Sequence, residues 1–278
     1  MAKHRFTWAD CAVCVADRGS RARALIERYL GLASAPAEDD ADGPLAAGLE
    51  RRGDGYRVRG LFGEMDTDNW SDAAYLLLEA VAYGFALSTR RLVVHAGSIV
   101  DGGGAIVCFG APWAGKSSLS FAAWRRGLRV LGDDRVCLDP TKASARAYPK
   151  CLKLRLADDD PPACVAEALA ADDAFVGALG DDRRLVLSRG LAGFVAYDTA
   201  FPIRALVRIE RGAGPRSRLD MEPVIDALDD ILVQASLTRF SPMDLVRLVK
   251  TQAPGERIPR LRVAPDDTDS ALDLLLKV

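Results

Sequence analysis

The sequence predicts an α/β fold with a mixed sheet, preceded by a small N-terminal α+β lobe, and three observations predict it. The glycine-framed segment GAPWAGKSS at 110–118 follows the apolar run 105–109 and opens a helical stretch from Lys116 to about Arg126. A second apolar run, 128–131, comes after Gly127, which suits the position just past a helix end. Upstream, the apolar segment 71–87 begins with Ser71, a helix-capping residue type, and predicts a buried helix.

The remaining elements follow from periodicity and turn residues. Before the core, the pattern predicts a strand over 5–15, a helix over 19–30, a loop over 33–44 and short strands over 45–63. After it, the pattern predicts helix, loop and short strands over 160–200, a strand over 202–209, helices over 222–237 and 241–252, a strand over 258–263 and a helix over 268–278. The chain is therefore predicted to form two domains, an N-terminal lobe over 1–88 and a core over 89–278.

The loop at 110–118 fits the pattern G-x-x-x-x-G-K-[ST], which is typical of loops that bind the phosphates of nucleotides. Its glycines allow the backbone to wrap a phosphate, and the N–H groups at a helix N-terminus carry the positive ends of dipoles. The predicted nucleotide-binding residues are Gly110, Ala111, Pro112, Trp113, Ala114, Gly115, Lys116, Ser117 and Ser118. In this reading Lys116 lies along the β- and γ-phosphates of ATP and the Ser117 hydroxyl binds Mg²⁺; the alternative is a glycine-rich turn that binds nothing.

Two carboxylates follow the second apolar run. Asp133 and Asp134 come directly after Gly132, one helix and one strand beyond the loop. A right-handed crossover places the carboxyl ends of both parallel strands at the same edge of a sheet, so both side chains are expected near the phosphates. A carboxylate there can hold Mg²⁺ or accept a proton from an attacking hydroxyl. The alternative is an ordinary turn after a strand.

Taken together, His95-Ala96-Gly97, the loop and the segment RGLRVLGDD resemble the catalytic core of HPr kinase/phosphorylase and its relatives, which has the HPr kinase / PEP carboxykinase-like fold. His95 lies 21 positions before Lys116, and Asp134 lies 18 positions after it, as in that family. The resemblance implies that His95 and Lys116 are active-site residues, that Ser117 is a magnesium ligand and that Asp134 is the base for the acceptor hydroxyl. Asp133 would flank it as a further catalytic residue and metal ligand.

The chain also departs from that family. HPr kinases have a metal-binding glutamate next to an arginine in a segment after the two aspartates, whereas the comparable stretch 148–155 contains no acidic residue. Lys150, Lys153 and Arg155 are candidate phosphate or substrate contacts, since alternation places Lys153 and Arg155 on one side of a strand; solvated charges on an edge strand are the equal alternative. The glycine-rich C-terminal loop that supports phosphorolysis is not found, which favours simple kinase activity over the reverse reaction.

In arrangement the chain resembles the HPr-kinase-like proteins encoded beside lasso-peptide and other peptide-modification genes, some of which phosphorylate a serine of a ribosomal peptide. This resemblance implies an ATP-dependent serine kinase that uses Mg²⁺ and acts on a peptide or protein hydroxyl. A small-molecule kinase for free serine or a sugar, and a nucleotide-binding regulator without transfer, remain open. So do the identity of the acceptor, the roles of Asp133 and Asp134 relative to each other, and whether the chain forms a homo-oligomer.

The amino-acid composition limits the classes of partner that are expected for this chain. The 278 residues are 49% hydrophobic and 27% charged, which is enough apolar material for a sizeable core. A net charge of −2 gives no electrostatic case for a nucleic-acid partner, and none is expected, because duplex binding requires clustered surplus Lys and Arg. The start of the chain does not resemble a signal peptide, and the helix over 71–87 is too short and interrupted to span a membrane, so the expected location is the cytoplasm.

Overall fold

The computed structural model describes residues 2–18, 21–37, 45–60, 63–156, 161–234, 242–253 and 255–278. The strands are β1 (Ala2–Trp8), β2 (Cys11–Arg18), β3 (Ser34–Pro36), β4 (Leu45–Arg52), β5 (Gly55–Gly60), β6 (Gly63–Thr67), β7 (Leu92–Val94), β8 (Gly97–Asp101), β9 (Gly104–Phe109), β10 (Arg129–Gly132), β11 (Val136–Asp139), β12 (Ser144–Ala147), β13 (Leu152–Arg155), β14 (Ala174–Leu179), β15 (Asp182–Leu187), β16 (Ala200–Arg211), β17 (Arg218–Pro223) and β18 (Arg257–Val263). The helices are α1 (Arg21–Leu30), α2 (Trp70–Ser88), α3 (Lys116–Arg125), α4 (Ala166–Ala170), α5 (Val224–Gln234), α6 (Pro242–Gln252) and α7 (Thr268–Leu275). The predicted mixture of helices with mixed sheets is therefore observed.

The chain divides into two compact units. The first contains Met1–Arg90 and Pro149–Ala192, and the second contains Arg91–Tyr148 and Gly193–Val278. This division differs from the predicted domains, 1–88 and 89–278, because the segment 149–192 clusters with the first unit. The predicted domains stay a prediction. Part of the loop predicted over 33–44, and the last residues of the helix predicted over 222–237, lie outside the described residues.

The first unit is built on a six-stranded sheet in the order β3-β1-β2-β4-β5-β6. Helix α2 packs against β2, β4 and β5, and its alanines and leucines are buried almost all round, as the unbroken apolar pattern predicts. The helix begins one residue before the predicted start, because the Asn69 side chain, and not Ser71, provides the cap by accepting the Ser71 N–H at 2.8 Å.

The single strand predicted over 5–15 is wrong. The structure has a hairpin in which Trp8 pairs with Cys11 across the two-residue turn Ala9-Asp10. This turn lacks the glycine that usually marks a hairpin, and Ala9 has a φ of 53°. Contacts distant in sequence hold it: the Asp10 carboxylate accepts hydrogen bonds from Thr89 Oγ1 at 2.7 Å and from the Arg90 N–H at 2.9 Å. A local pattern cannot show such a contact.

A second sheet of the first unit, in the order β13-β15-β14, carries two of the predicted site residues, Lys153 and Arg155, and Lys150 lies two residues before β13. Lys150 and Lys153 are buried, and their ammonium groups each lie 3.0 Å from a carboxylate oxygen of Glu79 on α2. Arg155 donates to Asp182 at 2.8 Å. The alternative of solvated charges is therefore wrong for both lysines, although β13 is an edge strand, because both lysines are buried and a half-buried carboxylate, Glu79, balances their charge.

Replacing Glu79 by alanine is expected to lower the free energy of unfolding by about 3–5 kcal/mol, because two buried ammonium groups lose this partner. Urea denaturation measures the change. Glu167→Ala removes an exposed carboxylate of the same unit and should stay within about 0.5 kcal/mol of the wild type. Equal stability of the two variants would show that the ion pairs contribute nothing measurable.

The second unit is built on a mixed nine-stranded sheet, in which the path β10-β8-β9-β16-β12-β11-β7 is extended by β18 and β17 beside β16. Strands β9, β16 and β18 are parallel, and β8 runs antiparallel between β9 and β10. Strands β9 and β10 therefore point the same way, as predicted for a strand–helix–strand unit, although β8 lies between them. One face of the sheet packs against α5 and α6 in an apolar core that includes Val107, Leu206 and Leu248.

One local prediction fails in this unit, and two strands, β11 and β12, lie in a segment for which no element was predicted. Asp139, the last residue of β11, accepts hydrogen bonds within the tight turn that follows, from the Thr141 N–H at 3.0 Å among others. Glu222, predicted to begin a helix, lies in β17, and the helix begins at Val224. Ser241, the first residue of the helix predicted over 241–252, lies outside the described residues, and α6 is described from Pro242. Within the described ranges, none of the helices has both the length and the apolarity that crossing a membrane requires.

Candidate active site

Three segments of the second unit meet at one edge of its sheet. The loop 110–115 follows the end of β9, Asp133 and Asp134 follow the end of β10, and His95 precedes the start of β8. Because β8 is antiparallel to both neighbours, its beginning lies at the edge where β9 and β10 end. The register shows this directly, since Gly97 is opposite Cys108 and Ser98 is opposite Gly132. Strand direction therefore places His95, the loop 110–115 and the two aspartates at the same edge of the sheet.

Glycine is required at both ends of the loop. Gly110 has a φ of 153°, and a Cβ built on it would lie 2.1 Å from the Ile209 carbonyl oxygen. Gly115 has a φ of 105° and forms the N-cap of α3, where its carbonyl accepts the Leu119 N–H at 2.9 Å. Both backbone conformations lie where a side chain is disfavoured. The chain therefore leaves β9 and enters α3 through a close turn, as a phosphate-binding loop requires.

Gly110→Ala is expected to lower both the free energy of unfolding and nucleotide affinity, because the added methyl group meets backbone and forces the loop to move. Gly103→Ala is the matched control: Gly103 also has a positive φ, 86°, but nothing lies within 4 Å of its Cβ position. That control should cost only about 1–2 kcal/mol of backbone strain. Denaturant unfolding and calorimetric titration with ATP separate the two effects. Identical behaviour of both variants would contradict the clash.

Lys116 is folded against its own loop. Its ammonium group donates to the Gly110 carbonyl at 2.7 Å and to the Ala111 carbonyl at 2.9 Å, and the residue is buried. Burial lowers the pKa of Lys116 below its ordinary value, while the negative charges of Asp134 and, less strongly, Asp133 oppose that shift. The side chain thus places a cation at the centre of the loop and within the field of both carboxylates.

His95 and Asp134 form a close pair. His95 Nε2 lies 2.6 Å from Asp134 Oδ1, and their side chains keep 36% and 24% of their surface exposed. Asp133 is buried, with 2% exposed. The turn that carries both residues after β10 is tight, because a Cβ on Gly132 would lie 2.4 Å from the Arg135 carbonyl oxygen. Of the two adjacent carboxylates, Asp134 is therefore the one that an incoming molecule can reach.

Gly97, the residue after His95-Ala96, lies where α3 packs closely on β8. A Cβ on Gly97 would lie 3.1 Å from Ser120 Oγ and 3.4 Å from the Lys116 carbonyl oxygen. The first turn of α3 therefore lies directly over the start of β8, and Lys116 and His95 are held on neighbouring elements. Ser117 and Ser118 are half-buried in that first turn.

The oxygen donors beside the loop are of the kind that Mg²⁺ binds. Among the described residues, no group of three His, Cys, Asp or Glu side chains is placed to hold a metal ion. Mg²⁺ commonly keeps several waters and binds one or two protein oxygens together with substrate phosphates. A hydroxyl at Ser117 and a carboxylate at Asp133 or Asp134 fit that requirement.

Sequence reasoning missed a charged group beside the loop. Arg208 on β16 is the register neighbour of Phe109, the residue before Gly110. Its guanidinium donates to Asp230 of α5 at 2.7 Å and lies 3.2 Å from the buried Glu222. The negative charge of Asp230 also acts to raise the pKa of Lys116. The alternation Arg208-x-Glu210 at the end of an apolar strand is the one local signal that marks this group.

Three predicted residues belong to the other unit. Lys150, Lys153 and Arg155 lie in the first unit, where Glu79 and Asp182 are their partners. Their assignment as phosphate or substrate contacts stays a prediction.

Comparisons with known proteins add little to this site. No family model matches the chain, and no curated protein matches it. Among solved structures, the chain is similar to the Hpr(Ser) kinase/phosphatase from Coxiella burnetii, with 13% sequence identity over 66% of this chain and 93% of that one. The TM-score of 0.33 is too low to carry an argument. The functional conclusion therefore rests on the residues at the sheet edge.

Proposed function

We propose that this chain is an ATP-dependent kinase that transfers the γ-phosphate to a hydroxyl, and that the acceptor is a serine of a peptide or protein. The observation that carries the proposal is the pairing of His95 with Asp134 at 2.6 Å, at the sheet edge where the loop containing Lys116 begins. A protein that only binds nucleotide needs the loop, but it gains nothing from a paired and accessible carboxylate beside it.

The loop binds the phosphates in this proposal. The amide groups of 110–118 and the Lys116 ammonium contact the β- and γ-phosphates, and the lysine exchanges its two carbonyl acceptors for phosphate oxygens. Ser117 and Asp133 would hold Mg²⁺, which supplies positive charge against the charge that develops on the phosphate oxygens. Lys116 adds a positive charge that the loop already holds in the ligand-free protein, so part of the site is organised before the reaction begins.

Asp134 acts on the acceptor. It orients the serine hydroxyl and accepts its proton while the serine oxygen bonds to the γ-phosphorus. The bond from that phosphorus to the β–γ bridging oxygen breaks, and ADP leaves with the electron pair. His95 holds the Asp134 carboxylate in place through the 2.6 Å contact and supports the transferred group. Positioning of this kind is the main contribution that an enzyme makes to a loose transition state.

An extended peptide end suits this site better than a folded phosphocarrier. The acceptor oxygen must reach the γ-phosphorus in line with the leaving oxygen, and a serine near a chain terminus achieves this without unfolding its surroundings. The sequence resemblance to the HPr-kinase-like proteins of lasso-peptide pathways supports the same choice, through the HAG, GAPWAGKSS and GDD segments. We therefore propose a peptide serine, and not a folded phosphocarrier, as the acceptor.

The test is transfer from γ-labelled ATP to serine-containing peptides. Mass spectrometry should find one added phosphate on the peptide and none on the same peptide with its serine replaced by alanine. Phosphorylation of free serine or of a sugar at comparable efficiency, without a peptide acceptor, would identify a small-molecule kinase instead. Tight ATP binding without transfer to any hydroxyl would identify a regulator.

A further inference from the structure

A cavity of about 410 Å³ lies in the first unit, and its lining residues are distinct from those of the candidate active site. One side of α1, the first turns of α2 and the start of β14 line it, so we call it the α1–α2 cavity. Its apolar lining includes Leu25, Trp70, Ala74 and Phe175. Sites for small organic molecules commonly measure roughly 300–1,000 Å³ and combine apolar walls with a few polar groups. The α1–α2 cavity has that size and that kind of lining.

The charged residues of the lining are mostly arginines. Arg21 and Arg28 are seven positions apart on α1, which places both on one side of the helix. A smaller cavity of about 140 Å³ shares Arg21 with the α1–α2 cavity. Together the two cavities are lined by four arginines and two aspartates, namely Arg18, Arg21, Arg28, Arg51, Asp17 and Asp172. This excess of positive charge favours an anionic ligand.

Arg21, which lines both cavities, is held by two aromatic residues. Its guanidinium carbon lies 5.0 Å from the centre of the Trp70 ring, and its Nη1 donates to the Tyr56 hydroxyl at 3.2 Å. A guanidinium stacked on a ring keeps N–H groups at its edge, where they can bind a carboxylate or a phosphate through two parallel hydrogen bonds. The aromatic contacts thus position the cation without neutralising it.

The neighbouring arginines differ from Arg21 in this respect. Arg18 contacts Glu50 at 2.7 Å, and Arg28 contacts Asp173 at 3.2 Å. Within the part of the chain that the structure describes, Arg21 forms no ion pair of this kind, and its contacts are those with Trp70 and Tyr56. Arg21 can therefore bind an external anion without first giving up a carboxylate partner.

We propose that the α1–α2 cavity is a binding site for a small organic anion with an apolar body. Arg21 binds the anionic group, and the apolar body lies against Trp70 and Phe175. The anionic group is a carboxylate or a phosphate, because both match the edge of a guanidinium. This site goes beyond the proposed function and does not depend on kinase activity.

The experiment uses two fluorescent dyes of similar shape: anilinonaphthalene sulfonate, which carries an anionic group, and phenylnaphthylamine, which does not. Titration of the full chain with each dye, in the presence of ATP and Mg²⁺, measures both affinities. Arg21→Gln should weaken the sulfonate at least about fivefold and leave phenylnaphthylamine unchanged, because water screens an exposed guanidinium but does not cancel its charged hydrogen bonds. The matched control is Arg23→Gln, since Arg23 is an exposed arginine of the same helix that lines neither cavity; both affinities should stay unchanged.

A second variant tests the charge without removing the arginine. Ala24→Glu places a carboxylate at an exposed position of the lining, three residues after Arg21 and four before Arg28, where opposite charges pair on a helix. It should weaken the sulfonate and spare phenylnaphthylamine, whose unchanged affinity also shows that the cavity is intact. Naphthoate and naphthyl phosphate should displace the sulfonate from the wild type, and the stronger competitor identifies the anionic group.

Three results would overturn the inference. Unchanged sulfonate affinity in Arg21→Gln shows that the arginine does not bind the anion, and an equal loss for both dyes shows that it acts only through the shape of the cavity. Failure of the wild type to bind the sulfonate, or of both competitors to displace it, contradicts the site itself. These results are independent of transfer from ATP to a peptide, so a failure here and a failure of the proposed function are distinguishable.

Discussion

Replacing Lys116 by alanine is expected to abolish ATP-dependent transfer and to weaken ATP binding at least tenfold. In the structure this ammonium group has two carbonyl acceptors of its own loop, at 2.7 and 2.9 Å, which triphosphate oxygens can replace. Charged hydrogen bonds of this kind contribute about 1.5–3 kcal/mol each. The contact with the γ-phosphate strengthens further as the leaving group departs, so transfer should suffer more than binding.

The fold should survive this change. Burial lowers the pKa of Lys116, which means that the surroundings disfavour its charged form, and alanine removes that unfavourable burial together with the two hydrogen bonds. Circular dichroism and denaturant unfolding should therefore resemble those of the wild type, and titration with ATP measures the lost affinity. Lys142→Ala removes an exposed lysine of the same unit and should leave binding and transfer unchanged. Retained transfer in Lys116→Ala would contradict the phosphate-loop assignment.

The loop and its flanking elements could be predicted because their signals are local. A motif of fixed spacing carries its own conformational requirement, and Gly110 and Gly115 do have the positive φ values that such a loop needs. The apolar helix over 71–87 could be predicted for the same reason, since its hydrophobic pattern lies within one element, although its cap is Asn69 and not Ser71. These features depend on residues a few positions apart, which is the range that a single sequence reveals.

Contacts between segments that are distant in the sequence could not be predicted in this way. The ion pairs of Lys150 and Lys153 with Glu79 join residues about seventy positions apart, and the hairpin turn at Asp10 depends on Thr89. Arg208 lies beside the loop only because β16 inserts next to β9. Such contacts depend on the order of the strands in the sheet, and the spacing of residues in the sequence does not predict that order. The family resemblance implied that His95 and Asp134 both belong to the active site. Their contact depends on β8, which runs antiparallel between β9 and β10 and so begins where β10 ends.

Asp134→Asn is expected to keep ATP affinity within a modest factor and to reduce transfer by about 10²- to 10⁴-fold. Asparagine preserves the size of the side chain and can still contact His95, but it cannot accept the proton of the acceptor hydroxyl. Single-turnover transfer to a peptide acceptor measures the loss, and titration with ATP measures binding on the same samples. A lower rate with unchanged affinity is the signature of a group that acts on the acceptor in the transition state.

The matched control is Asp133→Asn, the same chemical change one residue earlier in the chain. Asp133 is buried and assigned to Mg²⁺, so its variant should respond to magnesium: raising the Mg²⁺ concentration should recover part of its activity and none of that of Asp134→Asn. If Asp133→Asn loses transfer at every Mg²⁺ concentration while Asp134→Asn keeps it, the two roles are exchanged. If both variants transfer phosphate at the wild-type rate, neither carboxylate is the base, and the pairing of His95 with Asp134 has another purpose.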